Sequence, residues 1–369
     1  MTVGIVGAGQ LGRMLALAGY PLALDFLFLD RAADTPGGQV APSLVGEFTD
    51  PALLGELARR CRVLTFDWEN VSVEAMRAGT RGSGVRIAPP LAALAAGQDR
   101  LAEKRLFERL RIPTTRYAAV GSRAALDRAV ARIGLPGVLK TRRMGYDGKG
   151  QAVLRSAADL DRAWAALGAV PLLYEELVHF EAECSIVGAR STRGEFAIYP
   201  LARNVHVDGM LRLTRAPWDR PALGRRAGDY LRRVLRHFRY AGVLAIEFFV
   251  RDGRLLANEM APRVHNSGHW TIEGAETSQF ENHLRAILGM PLGSTRALGH
   301  AAMVNLIGAV PKARELLAEP GLHLHDYGKT PRPGRKVGHV TFVTGHAAER
   351  DARARRLLHR LYPRLGHIP

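Results

Sequence analysis

The chain has 369 residues, of which 47% are hydrophobic and 24% charged, a balance typical of globular proteins. At this length we expect two or three lobes, because a single hydrophobic core rarely grows so large. No stretch predicts a membrane-spanning helix, and the first residues predict a strand and not a secretory leader. Cys61 and Cys184 stand far apart in apolar contexts, as expected of reduced thiols in a cytoplasmic protein.

Basic residues outnumber acidic ones, and the resulting net charge of +17 makes nucleic-acid binding one hypothesis. These residues are scattered along the chain and form no stripe, so we expect no nucleic acid among the partners. Arginine supplies most of the charge, since the chain holds few lysines. A lysine at a particular place is therefore informative, and three of them fall within the motifs below: Lys140, Lys149 and Lys336.

The chain begins with a predicted strand, a glycine turn and a helix. Three glycines match the dinucleotide-binding fingerprint: Gly7, Gly9 and Gly12. Because Asp30 ends the next predicted strand, an NAD-binding domain is one hypothesis, although any βαβ unit can use glycines to admit a phosphate. A third strand, residues 62–66, leads to Glu69, which either lines a ligand site or is a helix N-terminal charge. Residues 1–95 thus predict a small, open, Rossmann-like α/β sheet.

A break at residues 88–90 precedes an amphipathic helix predicted at 98–110. Further on, a strand ends at Lys140, whose ammonium group would face phosphate oxygens unless it extends along the surface to solvent. In the next loop basic residues flank three glycines, a pattern whose backbone N–H groups can surround phosphates: Gly145, Gly148 and Gly150. The chain has no P-loop pattern. The loop predicts a hairpin lid, the alternative being a mobile hairpin tip.

Short strands then follow one another with few helices, which predicts an antiparallel sheet and an α+β lobe. The helix predicted at 218–240 is rich in arginine, as expected of a solvated face. Beyond it, apolar runs at 243–250 and 255–260 flank Asp252-Gly253. This pattern predicts a β-hairpin with a tight turn.

Each strand of this hairpin carries one carboxylate in otherwise apolar sequence, Glu247 on the first and Glu259 on the second. Buried carboxylates persist when they pair with cations or metal ions. Together with Asn258 they could supply oxygen ligands to a magnesium ion that bridges nucleotide phosphates. A stabilising ion pair is the alternative. A dense polar run from Arg263 to His269 follows directly.

The last part of the chain predicts a small, strand-rich lobe. A helix predicted at 278–288 ends at Gly289-Met290-Pro291, which indicates a boundary. In the following lobe two prolines brace a loop with three cations, and such a loop can face a phosphate or a developing anion: Arg332, Arg335 and Lys336. We infer no function for the basic helix predicted at 349–362.

Together these segments resemble the ATP-grasp superfamily, and within it the 5-(carboxyamino)imidazole ribonucleotide synthetases, over nearly the whole chain. The resemblance is carried by four motifs, of which the third is long and family-specific: residues 7–14, 145–151, 258–271 and 332–339. It implies an ATP-grasp fold that combines α/β and α+β lobes, divided as follows: a Rossmann-like domain at 1–95, an ATP-grasp domain at 96–291 with a lid at about 112–176, and a small C-terminal domain at 292–369.

The resemblance implies an ATP site. Arg100 and Lys140 would contact the phosphates, Glu183 would hold the ribose, and His206 and Asn258 would line the site. The lid over the phosphates would consist of Gly145, Tyr146, Asp147, Gly148, Lys149, Gly150 and Gln151. The hinge strand would recognise adenine mainly through the backbone of Glu175, Glu176, Leu177 and Val178. The magnesium ligands, with manganese as an alternative ion, would be Glu247 and Glu259.

The resemblance also implies a second substrate site, for 5-aminoimidazole ribonucleotide. The catalytic residues near the reacting carboxyl group would be Asp147, Arg263, His265 and Lys336. The ribonucleotide would be bound by Gln10, Leu11, Glu69, Tyr146, Arg263, His265, Asn266, Arg335 and Lys336. Two positions depart from the family pattern: Met144 stands where the lid usually has glycine, and Glu176 stands where glutamine is more usual.

The implied reaction is the ATP- and bicarbonate-dependent carboxylation of the ribonucleotide's exocyclic amine, through carboxyphosphate, in purine biosynthesis. Another ATP-grasp ligase is an alternative. An NAD-dependent oxidoreductase would leave Glu247, Glu259 and the lid without a role. We expect small-molecule substrates, a cytoplasmic homodimer, and neither nucleic acid nor membrane as a partner.

Overall fold

The computed structural model describes residues 1–145 and 149–363. Its first lobe is a five-stranded parallel sheet with the strand order β3-β2-β1-β4-β5. This order confirms the Rossmann-like open sheet, in which the chain reverses direction beside β1. The strands are β1 (Thr2–Val6), β2 (Asp25–Asp30), β3 (Ser43–Val45), β4 (Val63–Phe66) and β5 (Arg86–Ile87), and the helices are α1 (Gln10–Gly19), α2 (Pro51–Arg60) and α3 (Val73–Gly79).

Two helices, α4 (Leu91–Gly97) and α5 (Arg100–Arg109), connect this lobe to a four-stranded antiparallel sheet, the lid sheet. Asp99 caps α5, because its carboxylate accepts the backbone N–H of Leu101 at 3.0 Å. The lid sheet has the order β6-β9-β7-β8. Its elements are β6 (Tyr117–Val120), α6 (Arg123–Ile133), β7 (Gly137–Thr141), β8 (Gln151–Leu154), α7 (Asp159–Leu167) and β9 (Leu172–Glu176).

A nine-stranded antiparallel sheet, the large sheet, forms the rest of the molecule, with the order β15-β14-β10-β12-β13-β16-β18-β17 and β11 paired with β10. Its strands are β10 (Ala182–Arg190), β11 (Phe196–Ile198), β12 (Ala202–Val207), β13 (Met210–Ala216), β14 (Gly242–Arg251), β15 (Arg254–Ala261), β16 (His300–Ile307), β17 (His323–Asp326) and β18 (Lys336–Thr344). Its helices are α8 (Pro221–His237), α9 (Thr271–Gly274), α10 (Gln279–Leu288), α11 (Ala313–Leu317) and α12 (Ala347–Leu361).

The predicted C-terminal lobe therefore has no sheet of its own. Strand β16 pairs with β13 over four residue pairs, so β16, β17 and β18 extend the sheet of the central domain. The sequence-based boundary at residue 291 lies within this continuous architecture and stays a prediction.

Two helices cover the large sheet in different ways. Helix α8 buries Tyr230, Leu231 and Val234 against it while its arginines face outward, as the amphipathic pattern predicts. Helix α10 is buried almost all round, because it also packs against α1 of the first lobe. The two lobes therefore share one apolar core.

Candidate active site

The predicted hairpin is present, and Glu247 on β14 lies directly opposite Glu259 on β15. The ladder shifts register immediately after this pair, since Phe248 is opposite Ala257, and Asn258 is the extra residue of a bulge. Bulges re-aim side chains and are common beside active sites. The Asn258 Oδ1 atom is buried and has no hydrogen-bond donor among the described residues. Three side chains with oxygen atoms thus meet at one point of the large sheet.

Burial raises the pKa of Glu247 to about 7, and the nearby Glu259 and Glu183 carboxylates add to this effect while His206 and Lys336 oppose it. His206 lies between two carboxylates, with Nδ1 3.0 Å from Glu183 Oε2 and Nε2 3.9 Å from Glu247 Oε2. Burial lowers the pKa of His206, but the carboxylates outweigh it and the pKa rises to about 9. This corner of the site therefore holds more carboxylates than cations.

A divalent cation fits this arrangement. No group of three or more His, Cys, Asp or Glu side chains within residues 1–145 and 149–363 could hold a metal ion by itself. Magnesium is usually held by one or two carboxylates together with substrate phosphates and water. Glu247, Glu259 and the unpartnered Asn258 Oδ1 match that donor set.

Two cations approach the hairpin from α5 and the lid sheet. The Arg100 guanidinium lies 3.4 Å from Glu259 Oε2 and also donates to the Gly145 carbonyl at 3.5 Å. The Lys140 ammonium is 3.3 Å from Glu175 Oε1 and is 13% exposed. Burial lowers the pKa of Lys140, as do Arg100 and Lys104, while Glu175 raises it. The two predicted phosphate contacts thus stand on the lid side of the carboxylate pair.

The predicted lid is the connection between β7 and β8. The positions of Tyr146, Asp147 and Gly148 lie outside the described residues. The root of the loop is closed by a hydrogen bond from Thr141 N to the Gly150 carbonyl at 2.8 Å. Lys149 is exposed and Gln151 begins β8 opposite Lys140.

The hinge segment uses its glutamates for structure. Glu175 is buried and accepts a hydrogen bond from Thr115, and Glu176 pairs with Arg116 at 2.9 Å. The N–H groups of Glu176 and Leu177 donate to carbonyls at 3.0 and 3.2 Å. In the described part of the chain, the Val178 N–H has no such acceptor. This segment can therefore recognise adenine through its backbone groups. The Glu175 side chain is already used in a hydrogen bond with Thr115.

The polar run after β15 forms the opposite side of the site. Arg263 forms a charge-assisted hydrogen bond with Glu69 at the end of the first lobe's sheet. The Lys336 ammonium is close enough to lower the pKa of Glu69 and of Glu247. The structure therefore brings the first lobe, the hairpin and the start of β18 together.

His265 lies between these groups and the hairpin. Its Nδ1 accepts the Ser267 N–H at 3.3 Å and lies 3.9 Å from Glu247 Oε1. Burial lowers the pKa of His265 well below its ordinary value, and Arg263 and Lys336 act in the same direction. This imidazole is consequently neutral at physiological pH and can exchange hydrogen bonds with a substrate.

The glycine turn of the first lobe is occupied by the protein's own carboxylates. Asp67 accepts the N–H groups of Gly9 at 2.6 Å and Gly12 at 3.2 Å, and Asp30 accepts that of Ala8 at 2.6 Å. A dinucleotide pyrophosphate would need the same donors and would meet two like charges. This geometry is the physical reason that the NAD-binding hypothesis is wrong.

Comparison with known proteins assigns the chain to a family. Three family models match it in order: a ribonucleotide synthetase preATP-grasp domain over residues 1–98, an ATP-grasp domain over 105–280, and a phosphoribosylaminoimidazole carboxylase C-terminal domain over 301–353. The N5-carboxyaminoimidazole ribonucleotide synthase of Pseudomonas aeruginosa is 50% identical over 353 residues, which cover 96% of this chain and 97% of that protein. The chain belongs to the N5-carboxyaminoimidazole ribonucleotide synthases.

Solved structures of this family have the same fold. The N5-carboxyaminoimidazole ribonucleotide synthetase of Thermus thermophilus is 48% identical, with a TM-score of 0.93 over 99% of this chain and 100% of that one. The Aspergillus clavatus enzyme, in complex with ADP and 5-aminoimidazole ribonucleotide, is 29% identical with a TM-score of 0.91 over 99% of each chain. The ATP-grasp fold is confirmed.

Some residues assigned to substrates by resemblance have other partners in this synthase. The Asn266 and Asn305 amides bond to each other reciprocally at 3.0 and 2.7 Å, so Asn266 supports the loop. Leu11 is buried in the apolar core, which leaves only its backbone for a ligand. Arg335 donates to the Thr330 carbonyl at 3.1 Å within its own loop. The side-chain oxygen of Gln10 accepts a hydrogen bond from the Lys329 ammonium group.

Two buried residues close to the site were missed from the sequence. Gln279, on α10, accepts the His265 N–H at 2.9 Å and donates to the His265 carbonyl at 2.7 Å, which clamps the backbone of that loop. Lys104, on α5, is 1% exposed beside Glu175. The scarcity of lysines and the position of Lys104 one turn from Arg100 could have pointed to it, whereas no pattern indicates Gln279.

Proposed function

We propose that the chain catalyses the ATP- and bicarbonate-dependent carboxylation of the exocyclic amine of 5-aminoimidazole ribonucleotide, releasing ADP and phosphate, in purine biosynthesis. The observation that carries this proposal is the position of the Glu247–Glu259 pair. Arg100 approaches it from the nucleotide side, where Lys140 lies nearby against Glu175, and three polar side chains approach from the other: Arg263, His265 and Lys336.

The first half-reaction needs charge neutralisation and little covalent chemistry. Bicarbonate is a poor electrophile, and transfer of the γ-phosphoryl group from ATP converts it into carboxyphosphate, a mixed anhydride. Lys140 and Arg100 would bind the transferring phosphoryl group, and such positioning accounts for most of the catalysis of phosphoryl transfer. Magnesium, held by Glu247 and Glu259 with Asn258, would neutralise phosphate charge when bound, and manganese is an alternative ion.

The second half-reaction forms the carbon–nitrogen bond. The exocyclic amine attacks the carboxyl carbon of carboxyphosphate, or carbon dioxide released from it, phosphate leaves, and the departing phosphate takes up the proton that the nitrogen loses. Arg263 and Lys336 would hold the anionic carboxyl group, since charge-assisted hydrogen bonds are the strong ones. The neutral imidazole of His265, whose Nδ1 accepts the Ser267 N–H, would donate a hydrogen bond from Nε2 to an oxygen of the carboxyl group. Carboxyphosphate hydrolyses readily, so the lid would exclude water.

We further propose a cytoplasmic homodimer that acts on small molecules. Free thiols at Cys61 and Cys184 fit a reducing compartment, and two-fold symmetry is the commonest form of assembly. Among the described helices, none combines the length and the apolar character that a membrane crossing requires. The domain limits predicted from the sequence, 1–95, 96–291 and 292–369, remain part of this proposal.

Nucleotide turnover tests the function. The purified chain would be supplied with ATP, magnesium and bicarbonate, with and without 5-aminoimidazole ribonucleotide, and ADP and fixation of labelled bicarbonate would be measured. We expect rapid ADP release and fixation of label only when the ribonucleotide is present. ADP release that does not depend on the ribonucleotide, or that requires a different amine, would support another ATP-grasp ligase.

A further inference from the structure

Lys104 is a buried lysine that no step of the proposed mechanism uses. Its ammonium group donates to Thr114 Oγ1 at 3.0 Å, to the Asn258 carbonyl at 3.0 Å and to the Ala257 carbonyl at 3.3 Å. It also lies 3.3 Å from Glu175 Oε2. An ammonium group is retained in a protein interior only when it is paired and hydrogen-bonded. The environment of Lys104 is thus built to hold a charge that does not reach the solvent.

The partners of Lys104 belong to two different sheets. Glu175 is on β9 of the lid sheet, whereas Ala257 and Asn258 are on β15 of the large sheet, next to Glu259. Thr114, in the segment before β6, also donates to the Ala257 carbonyl at 2.6 Å. Lys104 therefore stands at the junction between the lid sheet and the carboxylate-bearing hairpin.

Helix α5 lies alongside β15, and several of its side chains contact that strand. One turn before Lys104, Arg100 pairs with Glu259, and Glu103 accepts the Met260 N–H. Residues at positions i, i+3 and i+4 share one face of a helix, so these three side chains lie side by side. These contacts hold residues 257–260 in place. The carboxylates of the hairpin are thereby kept facing the nucleotide side.

Glu175 connects Lys104 to Lys140. One carboxylate oxygen lies 3.3 Å from Lys140 and the other lies 3.3 Å from Lys104 and 2.8 Å from Thr115 Oγ1. Burial raises the pKa of Glu175, but Lys104 and Lys140 outweigh it and lower the pKa to about 2. The carboxylate is thus ionised, and its one charge is shared between two ammonium groups.

We propose that Lys104 is a positioning residue for nucleotide binding: by sharing the Glu175 carboxylate it leaves Lys140 available to ATP phosphates, and by holding the Asn258 carbonyl it fixes the bulge beside Glu259. The proposal rests on the proposed function, in which Lys140 contacts phosphate. Without Lys104, Lys140 would be the single ammonium group facing a buried carboxylate and would be drawn towards it. Removing the carboxylate as well would release Lys140.

The test uses the full-length chain with Lys104→Met, Glu175→Gln and the double substitution. Arg105→Met is the matched control, because Arg105 is the exposed neighbour on the same helix. ADP affinity with magnesium would be measured by calorimetry, and the KM values for ATP and for the ribonucleotide by steady-state kinetics. We expect Lys104→Met to weaken ADP binding about tenfold or more and to raise the KM for ATP, while the KM for the ribonucleotide changes little.

The decisive measurement is whether the double variant binds ADP more tightly than Lys104→Met does. Replacing a buried ion pair by neutral groups is tolerated far better than removing one partner. Lys104→Met with Glu175→Gln is therefore expected to recover at least about threefold of the lost ADP affinity relative to Lys104→Met. If Lys104→Met does not show a cooperative unfolding transition, Lys104→Gln, which keeps a donor without the charge, replaces it with the same expected sign.

Three results would overturn the inference. One is an unchanged ADP affinity in Lys104→Met, another is an equal rise of both KM values, and the third is a double variant that binds ADP no better than the single one. The control variant, Arg105→Met, must match the wild type in ADP affinity and in both KM values. A wild-type chain that binds ADP but does not carboxylate the ribonucleotide would count against the proposed function alone, since the affinity comparison does not depend on turnover.

Discussion

The ion pairs of Glu175 predict a specific dependence of stability on pH. The pKa of this carboxyl group falls from its ordinary 4.5 to about 2 in the folded protein. A lowered pKa means that the ionised group stabilises the fold fully above the unfolded-state pKa and loses that contribution as pH falls towards 2. The shift corresponds to about 3 kcal/mol, of which about 1 kcal/mol is lost between pH 6 and pH 4. Glu175→Gln lacks this contribution at every pH.

The assay compares urea unfolding of the wild type and Glu175→Gln at pH 6 and pH 4. At pH 6 we expect the variant to be less stable by about 3 kcal/mol, because two ammonium groups lose their counter-charge. At pH 4 the free-energy gap between the two proteins should narrow by about 1 kcal/mol. Glu349→Gln, at an exposed position of α12, is the control and should follow the wild type at both pH values. A gap that does not change with pH would refute the argument that the two ammonium groups lower the pKa of Glu175 in the folded state.

Three further predictions concern the site. Glu259→Gln, and more weakly Glu247→Gln, should lower turnover by about a hundredfold without changing thermal unfolding, because each removes a magnesium ligand; full activity of Glu259→Gln at low magnesium would contradict the metal assignment. Lys336→Ala should lose about two to three powers of ten in product formation yet bind ADP nearly as the wild type does. A parallel loss of ADP affinity in calorimetry would place Lys336 in the nucleotide site. Met144 has a φ of 62°, in the left-handed region. Met144→Gly should therefore keep wild-type turnover and a Tm within a few degrees, whereas Met144→Val should lower both, and equal values for the two variants would exclude backbone strain.

Local patterns in the sequence were sufficient for the hairpin that carries the carboxylates. Its two strands run from Gly242 to Arg251 and from Arg254 to Ala261, around the predicted turn, where Asp252 and Gly253 both have positive φ. Such a turn depends on adjacent residues alone. The prediction that Glu247 and Glu259 lie on neighbouring antiparallel strands is confirmed, whereas their direct opposition depends on the one-residue shift at Asn258.

Contacts between distant parts of the chain were not visible in the sequence. The bulge at Asn258 depends on the partner strand, and the burial of Lys104 depends on β9 and β15 meeting beside α5. The amide of Gln279 reaches His265 because α10 passes under that loop. Each of these depends on tertiary packing, which no local propensity encodes. The same holds for Asn266, whose polar character indicated a ligand contact although its partner is Asn305.

The pairing of β13 with β16 has a consequence for how the polypeptide can be divided. Ending the chain at residue 291 would remove β16, β17 and β18 and leave the N–H and C=O groups on one side of β13 without partners. It would also uncover Leu213, which is buried against β16 and α12 in the full-length protein. An exposed strand edge beside apolar surface recruits other chains. A chain ended at residue 291 should therefore self-associate. To obtain the nucleotide-binding portion as an independent fragment, another strand must take the place of β16 beside β13.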